Sequence, residues 1–367
     1  MNPRSPLSFV ACLSLACLPG CIIAPSEPDD PLAQQQADLD HWNQLTDELD
    51  GRRSEFLGTH VQELTAAGTT LYWLDTTNFN PRLMRWDRAA KLGFGFSIGD
   101  GNSYNYRASA SVVVTAEPGS DQVVYSAYDA TATNRLLATT SLPKPVGAKW
   151  SAYAVDGGSV YMMDGTTLKK WQPGGAVTTV TTLESAGVEA GEFWDFGVSG
   201  TTMVFIESGR VWSMDLVANK ATWLMNMTQA GGSVDFRPDG VLFDTATGLA
   251  FYDYGAARLV DVKARIDANP FKINETFASA AKFDQDFTRY KQYVIYVGQR
   301  GVFAYDMKAD KITPIVLSPN RAELRVDYRY PVALDSGEMF VTGLTSTSGA
   351  TGADGPTYKI DLGTIVQ

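Results

Sequence analysis

Seven times along the chain an apolar run of four or five residues meets a turn and then a second run, which in most copies carries an aromatic or methionine and closes on aspartate. The first runs are Leu71 to Asp75, Val123 to Ala127, Val160 to Met163, Met203 to Ile206, Val241 to Asp244, Tyr293 to Val297 and Met339 to Thr342, with starts 37 to 52 residues apart. Runs this short between turn residues read as strands, and strand hairpins recurring at roughly 40 to 50 residues read as the blades of a propeller.

Each blade needs four strands, and the seven runs are assigned as the second of each four. Third strands then follow at Leu83 to Asp87, Leu136 to Thr139, Leu168 to Gln172, Val211 to Asp215, Leu249 to Asp253, Val302 to Asp306 and Thr357 to Asp361. Val160 to Leu168, Met203 to Val211, Val241 to Leu249 and Val294 to Val302 are each eight residues, a constancy expected of one duplicated hairpin in a core that tolerates little slippage. Glycine stands ahead of the second strand in six repeats (Gly68, Gly119, Gly157, Gly200, Gly240 and Gly337), where a tight hairpin calls for positive φ; the sixth repeat has Lys291 and Gln292 instead. The fold class is therefore all-β, a seven-bladed β-propeller over residues 55–367, with six or eight blades as the neighbouring counts. Two stretches, DGGSVYMMDGTTLKKWQPGG from Asp156 and LYWLDTTNFNPRLMRWD from Leu71, resemble YWTD-type and TolB-like propeller repeats of bacterial exported proteins. That resemblance implies a shared blade grammar and brings no catalytic residue with it.

The first residues follow a different logic. Arg4 precedes an apolar run from Leu7 to Leu18, and Leu18-Pro19-Gly20-Cys21 closes it. The run is too short for the ~20 apolar residues of a membrane span and fits a signal peptide over residues 1–20. Its end resembles the lipobox of bacterial lipoproteins, which implies that Cys21 becomes the mature N-terminus and the site of lipid attachment. An ordinary secretory signal cut nearby is the alternative. Ile22 rather than aspartate follows, which by Gram-negative sorting implies the outer membrane. Cys12, Cys17 and Cys21 are the only cysteines, so the mature body holds no disulfide and no thiol site.

The formal charge of −11 is concentrated near that end. Residues 21–50 carry eight acids and no lysine or arginine, which leaves 29 bases and 33 acids after position 50. Residues 21–54 thus read as an acidic tether, either solvated or, from Leu32, Leu39, Trp42, Leu45 and Leu49, forming a short amphipathic helix on the propeller. With no basic stripe, nucleic acid is excluded as a partner.

Length variation gathers on one face of the predicted propeller, in blade-to-blade loops at 99–109 and 263–286 and a second-to-third-strand loop at 343–356, where recognition is commonly built. Asp100 to Tyr106 opens like a calcium loop, but Tyr104 occupies the third ligand place, so neither metal nor cofactor is expected. Glu192 to Phe196 and Asp284 to Phe287 put acids beside aromatics near the channel mouth, as sugar binding or plain blade packing would. His41 and His60 are the only histidines, which removes a Ser-His-Asp triad and repeated histidine ligands. Ligand-binding residues are not specified by any motif. The expected function is a lipid-anchored envelope module that binds protein or polysaccharide without catalysis. The alternative is a glycoside hydrolase or lyase with paired carboxylates, for which Asp195, Asp235, Asp286 and Asp327 are the residues to test.

Overall fold

The computed structural model of the chain describes residues 31–57, 61–77, 82–87, 92–96, 106–132, 135–144, 152–189, 193–226, 234–237, 239–245, 248–273, 287–298, 300–318, 326–345 and 356–366. Within them 28 strands form seven four-stranded antiparallel sheets, the blades of a β-propeller. Six blades use four consecutive strands each. In blade 7 the strands Val326–Ala333, Glu338–Thr345 and Thr357–Asp361 take their outermost partner from the other end of the chain, Arg53–Leu57, which closes the ring.

Burial on both faces explains the composition of the second strands. Ser159–Asp164 (SVYMMD) and Tyr293–Gly298 (YVIYVG) are buried at nearly every position, because each blade packs between two others, and such strands read as continuous apolar runs instead of alternating ones. The constant eight-residue interval is a constant register: Met163 faces Leu168, Ile206 faces Val211, Asp244 faces Leu249 and Val297 faces Val302. At the first-to-second-strand turn Gly68, Gly157, Gly200 and Gly337 all have positive φ, and in blade 6 Lys291 takes the same conformation at φ 52°.

Blade 2 departs from the sequence reading by one strand. Val123 to Ala127 lies in the third strand, Gln122–Asp129, and Leu136 to Thr139 in the outermost, Leu136–Pro143; the second strand is Val112–Pro118. Gly119 therefore belongs to the turn between second and third strands. The misleading element is the true first turn, Ser109-Ala110-Ser111, which has no glycine: Ser109 Oγ accepts from Ser111 N at 3.3 Å and Val112 N at 3.1 Å, so a serine hydroxyl organises the hairpin.

The aspartates that end the third strands cap the next turn. Asp215 Oδ1 accepts from Val217 N and Ala218 N, Asp253 Oδ1 from Ala256 N, and Asp306 Oδ1 from Lys308 N and Ala309 N. Four residues beyond each aspartate the chain enters the left-handed region, at Asn219 (φ 51°), Ala257 (φ 47°) and Asp310 (φ 54°). Asparagine and aspartate tolerate this backbone and alanine does not. Ala257→Asn is accordingly expected to raise stability by about 0.5–1 kcal/mol, read as a shift in denaturation midpoint at unchanged slope.

A 20-residue helix, α1 (Pro31–Asp50), lies against blade 6. Trp42, Thr46 and Leu49 fall on one face and are buried, whereas Leu32, on the same side in the first turn, is 74% exposed. Trp42 Nε1 donates to Ser318 O at 3.1 Å, at the end of the outermost strand Lys311–Leu317. Its exposed surface is knitted by i, i+4 hydrogen bonds from Gln34 to Asp38, Gln36 to Asp40 and Gln44 to Glu48. His41 lies on this helix and is exposed. A shorter helix, α2 (Val262–Ala268), is capped by Asp261, whose side chain accepts from Ala264 N; its Val262 and Ile266 enter the same core cluster as Trp42. Among the described residues no helix is long and apolar enough to cross a membrane.

Candidate functional site at the propeller axis

The first strands of the seven blades, Val61–Ala67, Tyr106–Ala108, Tyr153–Asp156, Phe193–Ser199, Val234–Arg237, Phe287–Tyr290 and Val326–Ala333, surround a cavity of about 570 Å³. Each strand runs from the face that carries the blade-to-blade loops towards the first-to-second-strand turns. Asp195 and Asp235, near the starts of theirs, sit towards the loop face; Asp156 and Asp335, near the first turns, sit towards the other.

Two arginines bridge blades that are not neighbours. Arg107, on blade 2, passes over the Tyr153 ring of blade 3, 6.0 Å from its centroid, and its Nη2 lies 3.4 Å from Asp195 Oδ2 on blade 4. Arg237, on blade 5, donates through Nε to Asp235 Oδ1 at 3.0 Å, through Nη2 to Thr288 Oγ1 on blade 6 at 2.8 Å, and through Nη1 to Ala333 O on blade 7 at 3.3 Å. Thr288 Oγ1 in turn donates to Asp235 Oδ2 at 3.1 Å. The second network is compact and mostly buried. The first is long and open, with 45% of the Arg107 side chain and 34% of the Asp195 side chain exposed. An ion pair at that distance and exposure adds little stability.

The far end is stitched by backbone. Asp156 Oδ2 accepts from Gly200 N at 3.0 Å, Asp335 N donates to Gly68 O at 2.9 Å, and Ser111 Oγ donates to Gly157 O at 2.7 Å, each joining neighbouring blades. Among the described residues four aspartates and two arginines line the cavity, a net negative set. Burial, and then the charge of Asp239, push the Tyr254 phenol behind this end well above its usual range.

Apolar surface fills the rest of the wall. The Phe236 ring lies directly on the backbone of Gly197, where a Cβ would collide with it, so glycine is required there by the ring's approach. In blade 7 the register shifts between Arg329 and Val332, a bulge that inserts one residue into the inner strand. Tyr330 in that bulge has φ 52° and is 45% exposed within the cavity wall.

Of the four carboxylates singled out from the sequence, Asp195 and Asp235 do come to the channel, each engaged by a guanidinium. Asp286 and the side chain of Asp327 lie outside the described residues, as do Cys21, His60, the run Asp100 to Asn105 and the loop segments 274–286 and 346–355. Phe193 and Phe196 meet edge to face within blade 4, with centroids 5.5 Å apart, and serve as core. Sequence reading missed Arg107, Arg237, Thr288 and Tyr330. For Tyr330 a signal existed: Pro331 inside an inner strand cannot donate to the ladder and marks a bulge. Among the described residues no three histidine, cysteine, aspartate or glutamate side chains gather as a metal site would require.

No protein-family model and no curated protein matches the chain. Among solved structures it is similar to the extracellular domain of the putative hybrid two component system BT3049 from B. thetaiotaomicron, with TM-score 0.46 and 10% identity over 83% of this chain and 40% of that one. It is also similar to BamB from Moraxella catarrhalis, with TM-score 0.44 and 9% identity over 82% of this chain and 85% of that one. The chain thus spans well under half of the first of these proteins.

Proposed function

We infer that this chain is a lipid-anchored protein of the bacterial cell envelope, held to the outer membrane through Cys21, whose propeller binds a protein or a glycan without altering it chemically. The observation that carries the non-catalytic reading is the pairing at the mouth of the channel. Asp195 and Asp235 are each held by an arginine, whereas a hydrolase needs its two carboxyl groups facing one another across the scissile bond, ~5–9.5 Å apart. The lipobox-like Leu18 to Cys21, the acidic residues behind it and the thiol-free body support the anchored address.

The first test is covalent. In cells fed a labelled fatty acid, the wild-type chain is expected to take up label and sediment with membranes, and Cys21→Ala to lose both; equal labelling of the two would remove the anchor from the assignment. The second is catalytic. Envelope polysaccharides incubated with the purified protein should show no new reducing ends or unsaturated termini, and turnover abolished by Asp195→Asn or Asp235→Asn would replace the binding module with the hydrolase or lyase.

A further inference from the structure

We propose that the outer edge of blade 4 seats a second copy of this chain, the two outermost strands, Lys220–Asn226, pairing antiparallel about a two-fold axis with their Trp223 indoles in contact. This surface is separate from the channel, and its use depends neither on the anchor nor on the ligand.

A row of aromatic rings crosses blade 4 and stops at that edge. Phe193, Phe205, Trp212 and Trp223 come one from each strand: Phe193 stacks on Phe205 at 5.8 Å, Phe205 stacks on Trp212 at 6.4 Å, and Trp212 faces Trp223 in the ladder. Directly opposed residues of an antiparallel pair share one face of the sheet, so the row runs from the inner strand to the rim. Phe205 is buried and Phe193 and Trp212 are half-buried, whereas Trp223 is 52% exposed on a strand with no outer neighbour. Val217, in the turn that leads into the same strand, is 78% exposed.

The other edges are guarded. An unpaired strand offers main-chain donors and acceptors to any second strand, and proteins protect it with charge, brevity or a cover. In blade 6 the edge strand Lys311–Leu317 lies against α1 and shares a core cluster with Trp42. The edge strand of blade 5, Arg258–Asp261, is four residues long with a charge at each end, and that of blade 7 carries Arg53 and Glu55. Blade 3 ends in Val177–Thr182, which exposes threonines and no large apolar side chain. The side chains of Leu92–Phe96, the edge strand of blade 1, lie outside the described residues.

Among the described residues this leaves apolar edges on blades 2 and 4, and charge separates them. Leu136–Pro143 of blade 2 exposes Leu136 and Leu137 but is flanked by Lys144 and by Arg135, whose side chain is 67% exposed beside Asp129. Two copies aligned antiparallel there bring Arg135 of each to Lys144 of the other, like charges at both ends. The edge of blade 4 has one charge, Lys220, which stands at its first residue and faces Asp215 of its own blade. A two-fold axis at Trp223 sets Lys220 across from Asn226 of the second copy, and Arg210, which faces Asn226, is already paired with Glu207 at 2.6 Å. A two-fold contact needs a patch complementary to itself, which this edge is and that of blade 2 is not. The paired indoles carry the aromatic row on into the second molecule, and the edge residues gain main-chain partners.

The test is sedimentation equilibrium on the mature chain carrying Cys21→Ala, so that no acyl chain drives association, from about 1 to 200 µM, the range of weak, small-interface encounters. A monomer–dimer equilibrium is expected, and it should tighten with added salt because each copy is acidic as a whole while the seam is uncharged. Trp223→Lys is expected to weaken the dimer at least about tenfold and Trp223→Phe by no more than about threefold. Leu137→Lys in blade 2 should leave it unchanged. Thermal midpoints measured alongside separate lost association from lost folding, and Thr222→Lys, at the exposed neighbouring position, supplies a second charged seam should Trp223→Lys unfold. A chain that stays monomeric throughout overturns the second copy as occupant and leaves the edge to a foreign strand. A dimer indifferent to both lysine substitutions, or broken by Leu137→Lys, has its seam elsewhere, and one that loosens with salt is held by charge; each overturns the assignment.

Discussion

Replacing Trp42 with alanine is expected to destabilise the folded chain by about 3–5 kcal/mol, the range for truncating a fully buried large aromatic. The indole has no exposed surface, its Nε1 is satisfied by Ser318 O, and its neighbours in the core cluster include Tyr296, Phe303, Ile312 and Leu317 of blade 6. Truncation removes the apolar contact and the hydrogen bond to Ser318 O. The loss has a ceiling, because α1 can undock as a unit once the docking free energy is exceeded, and the helix would then be cut by protease while the blades resist. Trp42→Phe, which keeps most of the packing and loses the hydrogen bond, should fall between the two, roughly 1–2 kcal/mol below wild type. Chemical denaturation and limited proteolysis together check both limits; an alanine variant as stable as wild type would mean that the helix does not contribute to the fold. Docking also bears on the proposed anchor. Residues 21–30 reach at most ~35 Å when fully extended, so a docked helix keeps blade 6 close to the bilayer, and an undocked one adds up to ~30 Å of free reach.

How far this architecture is legible in the sequence depends on which interaction writes the signal. Blades are buried on both sides, so their second strands appear as uninterrupted apolar runs, and two-residue hairpins such as Ser208-Gly209, with φ 46° and 73°, demand residues that stand out. Those constraints are local and recur, and they place the strands correctly in six repeats. In blade 2 the turn is organised by the Ser109 hydroxyl, a device with no compositional signature, and the register was read one strand late. Lys291 shows the same limit from the other side: a left-handed position filled by lysine is invisible to a search for glycine.

The site was harder to read because its chemistry is assembled between blades. Asp195 and Asp235 were visible as acids near strand starts, but their meaning comes from Arg107, two blades from Asp195, and from Thr288, one blade from Asp235. No spacing within a repeat encodes those partners. Only Pro331, which breaks the ladder rule for an inner strand, pointed to the bulge at Tyr330.

Ring closure supplies the second large effect. Arg53–Leu57 pairs with Thr357–Asp361, and Glu55 faces Tyr358 across the ladder. Cβ atoms of directly opposed residues in an antiparallel pair lie ~4.5–5.5 Å apart, close enough for a disulfide after slight adjustment. The double variant Glu55→Cys, Tyr358→Cys is therefore expected to oxidise spontaneously, with no competing thiol in the body, since the natural cysteines end at Cys21. The bond joins the two ends of nearly the whole propeller, where the loss of unfolded-state entropy is greatest, and should stabilise the oxidised form by about 2–4 kcal/mol over the reduced one. The seam it crosses is already an aromatic cluster: Phe56, Trp86 and Phe340, from the closing strand, blade 1 and blade 7, meet edge to face with centroids 4.9–5.5 Å apart. Arg53 adds an ion pair to Asp50 at 2.6 Å, a hydrogen bond to Tyr328 Oη at 2.8 Å and a stack 4.5 Å above the Tyr358 ring. Loss of that stack in the double variant is measured by the reduced protein, so the comparison of oxidised with reduced isolates the crosslink. Failure of the pair to oxidise, or oxidation without a rise in denaturation midpoint, would show that the first strand does not close the ring. A gain of the expected size would place Arg53–Leu57 in the folded ring, because a crosslink of this span stabilises only a native state that already holds Glu55 and Tyr358 side by side.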